Sequence, residues 1–426
     1  MQRVNKLETY VLGLGHVGLP MACWIALSGS HVFGIDVDEE AIHRIKAGEI
    51  KIEEYYRDIH ISSLAQTLIE SNKLDIGTKL VRESDKPSAF LISVGMRDLP
   101  DGKKDLSPIL AAIDCILSVL VPNDLIILRS TMIPGTCENV IAPRLRERNV
   151  PFYLAYCPET MMETRAFEEF EKNPMILAGI DEGSYQAAGL YWQTITKNKI
   201  YKASNIRTAE MAKVVQNIHR DVNIALANEI SDAAAALNID GEDLRALANV
   251  NPRVSMLVSG PGVGGYCLPN ALAYLRVAVP EISLTLAETA RELNRSRPAQ
   301  IAQITINALE SAGKQVNGAV IAVGGLAMKN YCADTRSSPA LEIIKELEAR
   351  GATVKAYDPL VPKSYPFQKD SFEECLKNAD CLVITAKQKA LPYNVPEIIA
   401  LMASPAVIID TQRTVHPMDG VSIYRV

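Results

Sequence analysis

The sequence predicts an α/β protein: two Rossmann-like, doubly wound parallel-sheet domains joined by a helical segment. Three observations carry this reading. Apolar strand-like runs alternate with helix-period segments from Glu8 onward, long helical periodicity takes over between about Thr208 and Leu309, and a second alternating block opens at Gly318. At 426 residues the chain also exceeds the roughly 250–300 at which single cores stop growing.

In order along the chain, ETYVL from Glu8 reads as a strand, followed by a Gly-rich turn, an apolar helix through Ala22 and Leu27, and a second strand, HVFGID. That is a βαβ unit. Further strand-like runs lie at Ala89–Val94, Asp124–Thr131 and Pro151–Cys157, with a helix-period segment from Leu106 to Leu120. The middle stretch, opening with TAEMAKVVQNIHRDVNIALANEISDAAAALN and resuming near Ala287, reads as helices. GAVIAVGGLA (Gly318–Ala327), ATVKAYDP, DCLVITA and AVIIDTQR then restore the alternation of a parallel sheet. The expected divisions are 1–200, 201–310 and 311–426, and the two flanking domains show no convincing internal repeat.

Nearly half of the residues are apolar and 22% are charged, the balance of an ordinary globular protein. A formal charge of −6 leaves no basic face for phosphate backbones, which argues against nucleic acid as a partner. No charged-then-apolar leader opens the chain, and no apolar run reaches the ~20 residues of a membrane span. The expectation is a cytoplasmic protein without membrane insertion. Eight cysteines without CxxC pairs and six histidines argue against a disulfide framework and against a bound metal.

Gly13, Gly15 and Gly18, with His16 and Val17 between them, form GLGHVG where the first strand meets the first helix. The first glycine permits the turn, the second lets a pyrophosphate approach, and the third lets helix and strand pack closely, while the helix N-terminus faces the negative charge. Asp36 ends the second strand about 20 residues on, where a carboxylate accepts from ribose hydroxyls and repels a 2′-phosphate. NAD is therefore favoured over NADP. FAD shares the fingerprint, so the turn alone does not name the cofactor. Cys267 sits in GPGVGGYCLP, a segment able to hold a thiol against a ligand, although a small buried apolar residue is the alternative.

Several longer stretches bear a resemblance. GLGHVGLP, STMIPGT (Ser130–Thr136), YCPE (Tyr156–Glu159), KNPMILAG, AEMAKVVQNIHRDVNIALANEIS, NPRVSMLVSGPGVGGYC, GLAMKNYCADTRSSPA and YDP occur in this order over nearly the whole chain. Together they resemble the UDP-glucose/GDP-mannose dehydrogenase family, above all its UDP-N-acetylmannosamine dehydrogenase branch. The resemblance implies an NAD-dependent enzyme that oxidises the C6 alcohol of a UDP-sugar twice, through a thiohemiacetal and a thioester on Cys267. It implies that Lys213 and Asn217 stabilise oxyanions, and their four-residue spacing independently puts them on one helix face. Glu163 is implied as the base for thioester hydrolysis, with Ser130 and Thr131 at the cofactor and sugar. Glu159, Arg253, Gly264, Lys329 and Arg336 are implied at the substrate, with Arg253 reaching across a homodimer. The helical middle thereby becomes a dimerisation segment, and residues 311–426 a nucleotide-sugar-binding domain.

Three departures from the family pattern stand out. Ala271 replaces an aspartate four residues after the nucleophile, Val94-Gly95-Met96-Arg97 replaces Val-Pro-Thr-Pro, and Tyr266 stands where the branch has histidine. Loss of one acid/base group commonly costs about 10²–10⁴ in rate. Partial oxidation stopping at the aldehyde, and a catalytically impaired sugar-nucleotide-binding homologue, therefore remain as alternatives.

Overall fold

The structure, a computed structural model, describes residues 6–50, 52–82, 84–99 and 104–426. It divides into two compact units, Met1–Gln216 with Ala273–Ile282, and Asn217–Leu272 with Ser283–Val426. Two of the three dividing points fall inside helices and the third lies in a loop.

The first unit opens with β1 (Thr9–Leu12), α1 (Gly18–Leu27) and β2 (Val32–Ile35). Helix α1 is apolar all round and accordingly buried from Gly18 to Ala26. Asp38 caps α2 (Glu39–Ala47), which ends at Gly48 in the left-handed region. A small hairpin, β3 (Tyr55–Tyr56) with β4 (Ile59–His60), leads into α3 (Ile61–Glu70) and β5 (Leu74–Gly77). Then come β6 (Ala89–Ile92), the hairpin β7 (Arg97–Asp98) with β8 (Lys104–Asp105), α4 (Ser107–Val119) and β9 (Asp124–Leu128). A π turn at Cys137–Ile141, α5 (Ala142–Arg146), β10 (Phe152–Tyr156), α6 (Ala166–Lys172), β11 (Met175–Gly179), α7 (Glu182–Gln193) and β12 (Ile200–Lys202) complete it, before α8 (Ile206–Ala236).

These strands form one eight-stranded sheet in the order β12-β11-β10-β9-β6-β1-β2-β5. Only the β10–β11 pairing is antiparallel, an arrangement common towards the edge of otherwise parallel sheets. The core joins Leu19, Met21 and Ile25 of α1 to Leu64 and Leu68 of α3, and Trp24 stacks on Phe170 of α6 at 4.9 Å. Each such aliphatic side chain contributes about 1.5–3 kcal/mol by leaving water.

The second unit holds most of α8, α9 (Gly241–Ala248), the start of α10 (Cys267–Ala278), and α11 (Thr285–Ser311). Its α/β part runs β13 (Val320–Gly324), α12 (Pro339–Ala349), β14 (Thr353–Tyr357), α13 (Phe372–Leu376), β15 (Cys381–Ile384), α14 (Val395–Leu401), β16 (Val407–Asp410) and β17 (Ser422–Arg425). All pairings in its sheet, β14-β13-β15-β16-β17, are parallel. Ile301, Ile306 and Leu309 of α11 and Ile343, Ile344 and Leu347 of α12 pack with the β13 side chains Ile321 and Val323 in one core.

The α/β class and doubly wound sheets are as the sequence predicts. Strands β5, β11, β12 and β17 are additions; they lie at or next to sheet edges. The run expected to reach Thr131 leaves the ladder after Leu128, and the helical middle is interrupted by an irregular stretch from Asn249 to Tyr266.

Candidate active site

In the first unit the glycine turn has the required geometry. Gly13 has φ +90°, and a Cβ on Gly18 would stand 1.7 Å from the Gly13 carbonyl oxygen, so neither position tolerates a side chain. Nothing lies within 4 Å of a Cβ built on Gly15, which leaves open space where a pyrophosphate would approach. Asp36 Oδ2 accepts the Leu14 N–H at 2.7 Å and Oδ1 the Asp38 N–H at 3.0 Å. The carboxylate thus braces the turn while lining a cleft of about 670 Å³ with Gly13, Gly15, Ser93, Val94 and Arg97. An open amide-lined helix start beside an acid fits a dinucleotide with a free ribose. Of the departing tetrad, Val94, Gly95 and Arg97 line the cleft and Met96 is buried. Arg97 was not foreseen as a cofactor-facing residue.

His16, in that turn, pairs through Nδ1 with Glu163 Oε1 at 2.7 Å. The cofactor turn and the expected hydrolytic base therefore meet. Glu159 is turned inward instead. It pairs with the buried Arg129, and its Oε1 accepts the Thr160 and Met161 N–H groups at 2.8 Å each. Burial disfavours the Arg129 cation, but Glu159 and Cys157 outweigh it and hold the guanidinium above its ordinary pKa. Arg129 also lies 5.0 Å over the Trp192 ring.

Ser130 and Thr131 are half-buried beyond β9, with the Tyr156 hydroxyl donating to the Ser130 carbonyl at 3.1 Å. The next residues are latched to α8. Glu210, fully buried, accepts the Gly135 N–H at 2.5 Å and the Cys137 N–H at 2.8 Å. Burial pushes its pKa up, against the opposing hydrogen bonds from Cys137 and Gly135. Lys213 follows Glu210 by about one turn, half-buried, and Asn217 is buried one turn further on.

In the second unit Cys267 is exposed and is the first residue of α10. The glycines before it are laced to the turn carrying the expected cations. Gly265 donates to the Arg336 carbonyl at 2.8 Å, and a Cβ on Gly264 would come within 2.6 Å of the Ser337 oxygen and 3.0 Å of Met328 Cβ. Lys329 is half-buried, and Arg336 is held by Asp334 at 2.5 Å. Asn228 Oδ1 on α8 accepts the Gly260 N–H at 2.9 Å, fastening the base of this loop. Arg253 is exposed between α9 and α10. Ala271, one turn after Cys267, is buried, with 1% of its surface exposed.

Arg129 and Glu210 are residues that motif reading missed. A charge ending the apolar run DLIILR and an acid inside AEMAK were the only local signals.

Models of three domains match in chain order: the NAD binding domain (8–203), central domain (207–296) and UDP binding domain (322–417) of the UDP-glucose/GDP-mannose dehydrogenase family. The chain belongs to that family. It is therefore an NAD-linked oxidoreductase carrying a UDP-binding domain, as the resemblance implied. The UDP-N-acetyl-D-mannosamine dehydrogenase of Pyrococcus horikoshii is 36% identical over 379 residues, covering 88% of each chain. That of Methanococcus maripaludis is 33% identical over 378 residues, covering 88% of this chain and 84% of the relative. Among solved structures, the P. horikoshii UDP-D-ManNAc dehydrogenase superposes with a TM-score of 0.88 at 32% identity over 99% of both chains.

Proposed function

We propose that this chain oxidises the C6 alcohol of a UDP-hexose to the uronic acid, using two NAD and Cys267 as covalent nucleophile. The observation that carries this is an exposed thiol opening a 12-residue helix, on a glycine loop tied to the turn bearing Lys329 and Arg336. Paired cations suit a diphosphate.

The cleft lined by Gly13, Gly15 and Asp36 would hold NAD, which would supply the hydride acceptor for each oxidation. In the first oxidation the hydroxyl proton leaves to water held by Thr131. The Cys267 thiolate then adds to the aldehyde carbon, and the Lys213 ammonium and Asn217 amide stabilise the resulting alkoxide. Loss of the second hydride leaves a thioester. Glu163 takes a proton from the water that attacks it, the thiolate departs, and the carboxylate is released. Glu159 serves through the loop it holds.

UDP-ManNAc is the leading substrate, because both relatives named above carry that activity in their names; UDP-GlcNAc and UDP-glucose follow. We assign 1–200 to the cofactor, 201–310 to dimerisation and 311–426 to the nucleotide-sugar. A homodimer is supported by Leu226 and Ile230 on α8 and Leu237 just past its end, which are exposed and apolar. No described helix is long and apolar enough to cross a membrane, and all eight cysteines are free thiols; a cytoplasmic enzyme suits the latter. Purified protein supplied with each UDP-sugar and NAD should release two NADH per sugar, and Cys267→Ser should release none in turnover. Equal turnover by the two proteins, or no oxidation of any of the three sugars, would overturn the proposal.

Buried Ala271 favours a second reading, in which oxidation stops at the aldehyde or the adduct because no carboxylate stands one turn from the thiol. Its signature is one NADH per sugar.

A further inference from the structure

The segment from Thr160 to Arg165 has no regular structure, yet it presents Glu163 to His16 of the cofactor turn. Its backbone is suspended from carboxylates. Glu159 takes the N–H groups of Thr160 and Met161, and Glu169 takes that of Met162 at 2.6 Å. Glu54 takes those of Thr164 at 2.5 Å and Ala166 at 2.9 Å.

Glu54 is the unusual member. It is fully buried, and it reaches across about a hundred residues of sequence to the start of α6, whose own N-cap, Arg165, supplies no side-chain bond. It is itself held firmly: its carbonyl accepts the Ile61 N–H at 2.9 Å, and the following hairpin packs Tyr56 edge-on against Phe167 at 5.6 Å. The residue it grips, Thr164, has φ +78°. A β-branched residue does not choose the left-handed region unaided.

We propose that Glu54 is a positioning residue for the hydrolytic step: its grip on Thr164 in the left-handed conformation turns Glu163 towards His16. The inference rests on Glu163 being the base, as proposed above. Without the grip Thr164 relaxes to negative φ and the Glu163 side chain swings away, while the cofactor cleft and Cys267 are untouched.

The test uses the full chain with UDP-ManNAc and NAD, comparing Glu54→Gln, Thr164→Pro, Glu54→Gln with Thr164→Gly, and Glu163→Gln. Glu54→Gln should lower kcat about 10- to 100-fold with the KM for NAD little changed, and the intact mass should show acyl adduct accumulating on Cys267. Thr164→Pro, which forces φ to about −65° and removes the gripped N–H, should do the same with Glu54 still present. Thr164→Gly should restore most of the rate to Glu54→Gln, because glycine adopts the conformation without help. Hydrogen exchange at residues 160–166 should quicken in Glu54→Gln, a readout that stands even if no sugar is turned over. Unchanged exchange, or wild-type kcat in either Glu54→Gln or Thr164→Pro, overturns the proposal, as does failure of Thr164→Gly to rescue. Wild-type kcat in Glu163→Gln with quickened exchange in Glu54→Gln would refute the base assignment and leave the grip standing.

Discussion

The two sheets of this molecule open with the same device and use it differently. After β1 the chain turns at Gly13 with φ +90°, and after β13 at Gly325 with φ +89°. In each case an aspartate just past the end of the neighbouring strand accepts the N–H of the residue after the glycine: Asp36 from Leu14 and Asp358 from Leu326, both at 2.7 Å. The first turn runs directly into α1, so free amides face the cleft, and Asp36 remains half-exposed. The second is followed by twelve irregular or turn residues, Ala327 to Ser338, carrying Lys329 and Arg336, before α12 begins. Asp358 there is buried and also holds Ala327, Leu360 and Gln388. One framework thus presents an open helix start at one turn and two cations at the other, the features we propose for the two phosphate-bearing ligands.

The contrast can be broken by substitution. Cys267→Ser and Lys213→Met should have the largest effects, at least about 10²-fold in kcat, because they remove the groups we propose to react rather than framework; wild-type rates would deny them that place. Next, Asp358→Ala should destabilise the fold by at least about 2 kcal/mol, since it strands several buried donors. Asp36→Ala, at a half-exposed carboxylate with fewer buried donors, should lower the melting temperature less than Asp358→Ala and raise the KM for NAD about tenfold or more. If both aspartates behaved alike in thermal melts and NAD titrations, the difference between the two turns would be illusory.

Arg129→Met leaves Glu159 buried without its partner and should cost about 3–5 kcal/mol in denaturant unfolding. A loss near zero would show the pair to be dispensable. The smallest effect concerns thiols. Burial raises Cys157 to about 11 and Cys23 and Cys375 to about 12, from an ordinary 9.0. These groups bind their protons more tightly folded than unfolded, so their contribution is intact below about pH 9 and is lost as pH rises from there through 11–12. Native alkylation near pH 8 should therefore mark the exposed Cys267 and Cys115 first.

What the sequence made legible was local. The turn at Gly13, the acid at Asp36 and the helix face of Lys213 and Asn217 depend on spacing within a few residues or one βαβ unit, and spacing is visible. The strands at Thr9, Ala89, Asp124 and Phe152 were apolar enough to stand out, whereas the four-residue strand at Leu74 alternates with exposed residues and the one at Ser422 is only partly buried. Glu54, Arg129 and Glu210 escaped because each finds its partner 30 to 112 residues away. Glu159 was read as facing substrate because nothing local betrays the Arg129 that claims it.

The most direct measurement is the mass of the protein quenched during turnover of UDP-ManNAc with NAD in a Glu163→Gln background, where hydrolysis is slow. The expected result is a sugar-nucleotide acyl adduct on the peptide containing Cys267. An unmodified thiol there while two NADH per sugar are still released would contradict covalent catalysis by this residue.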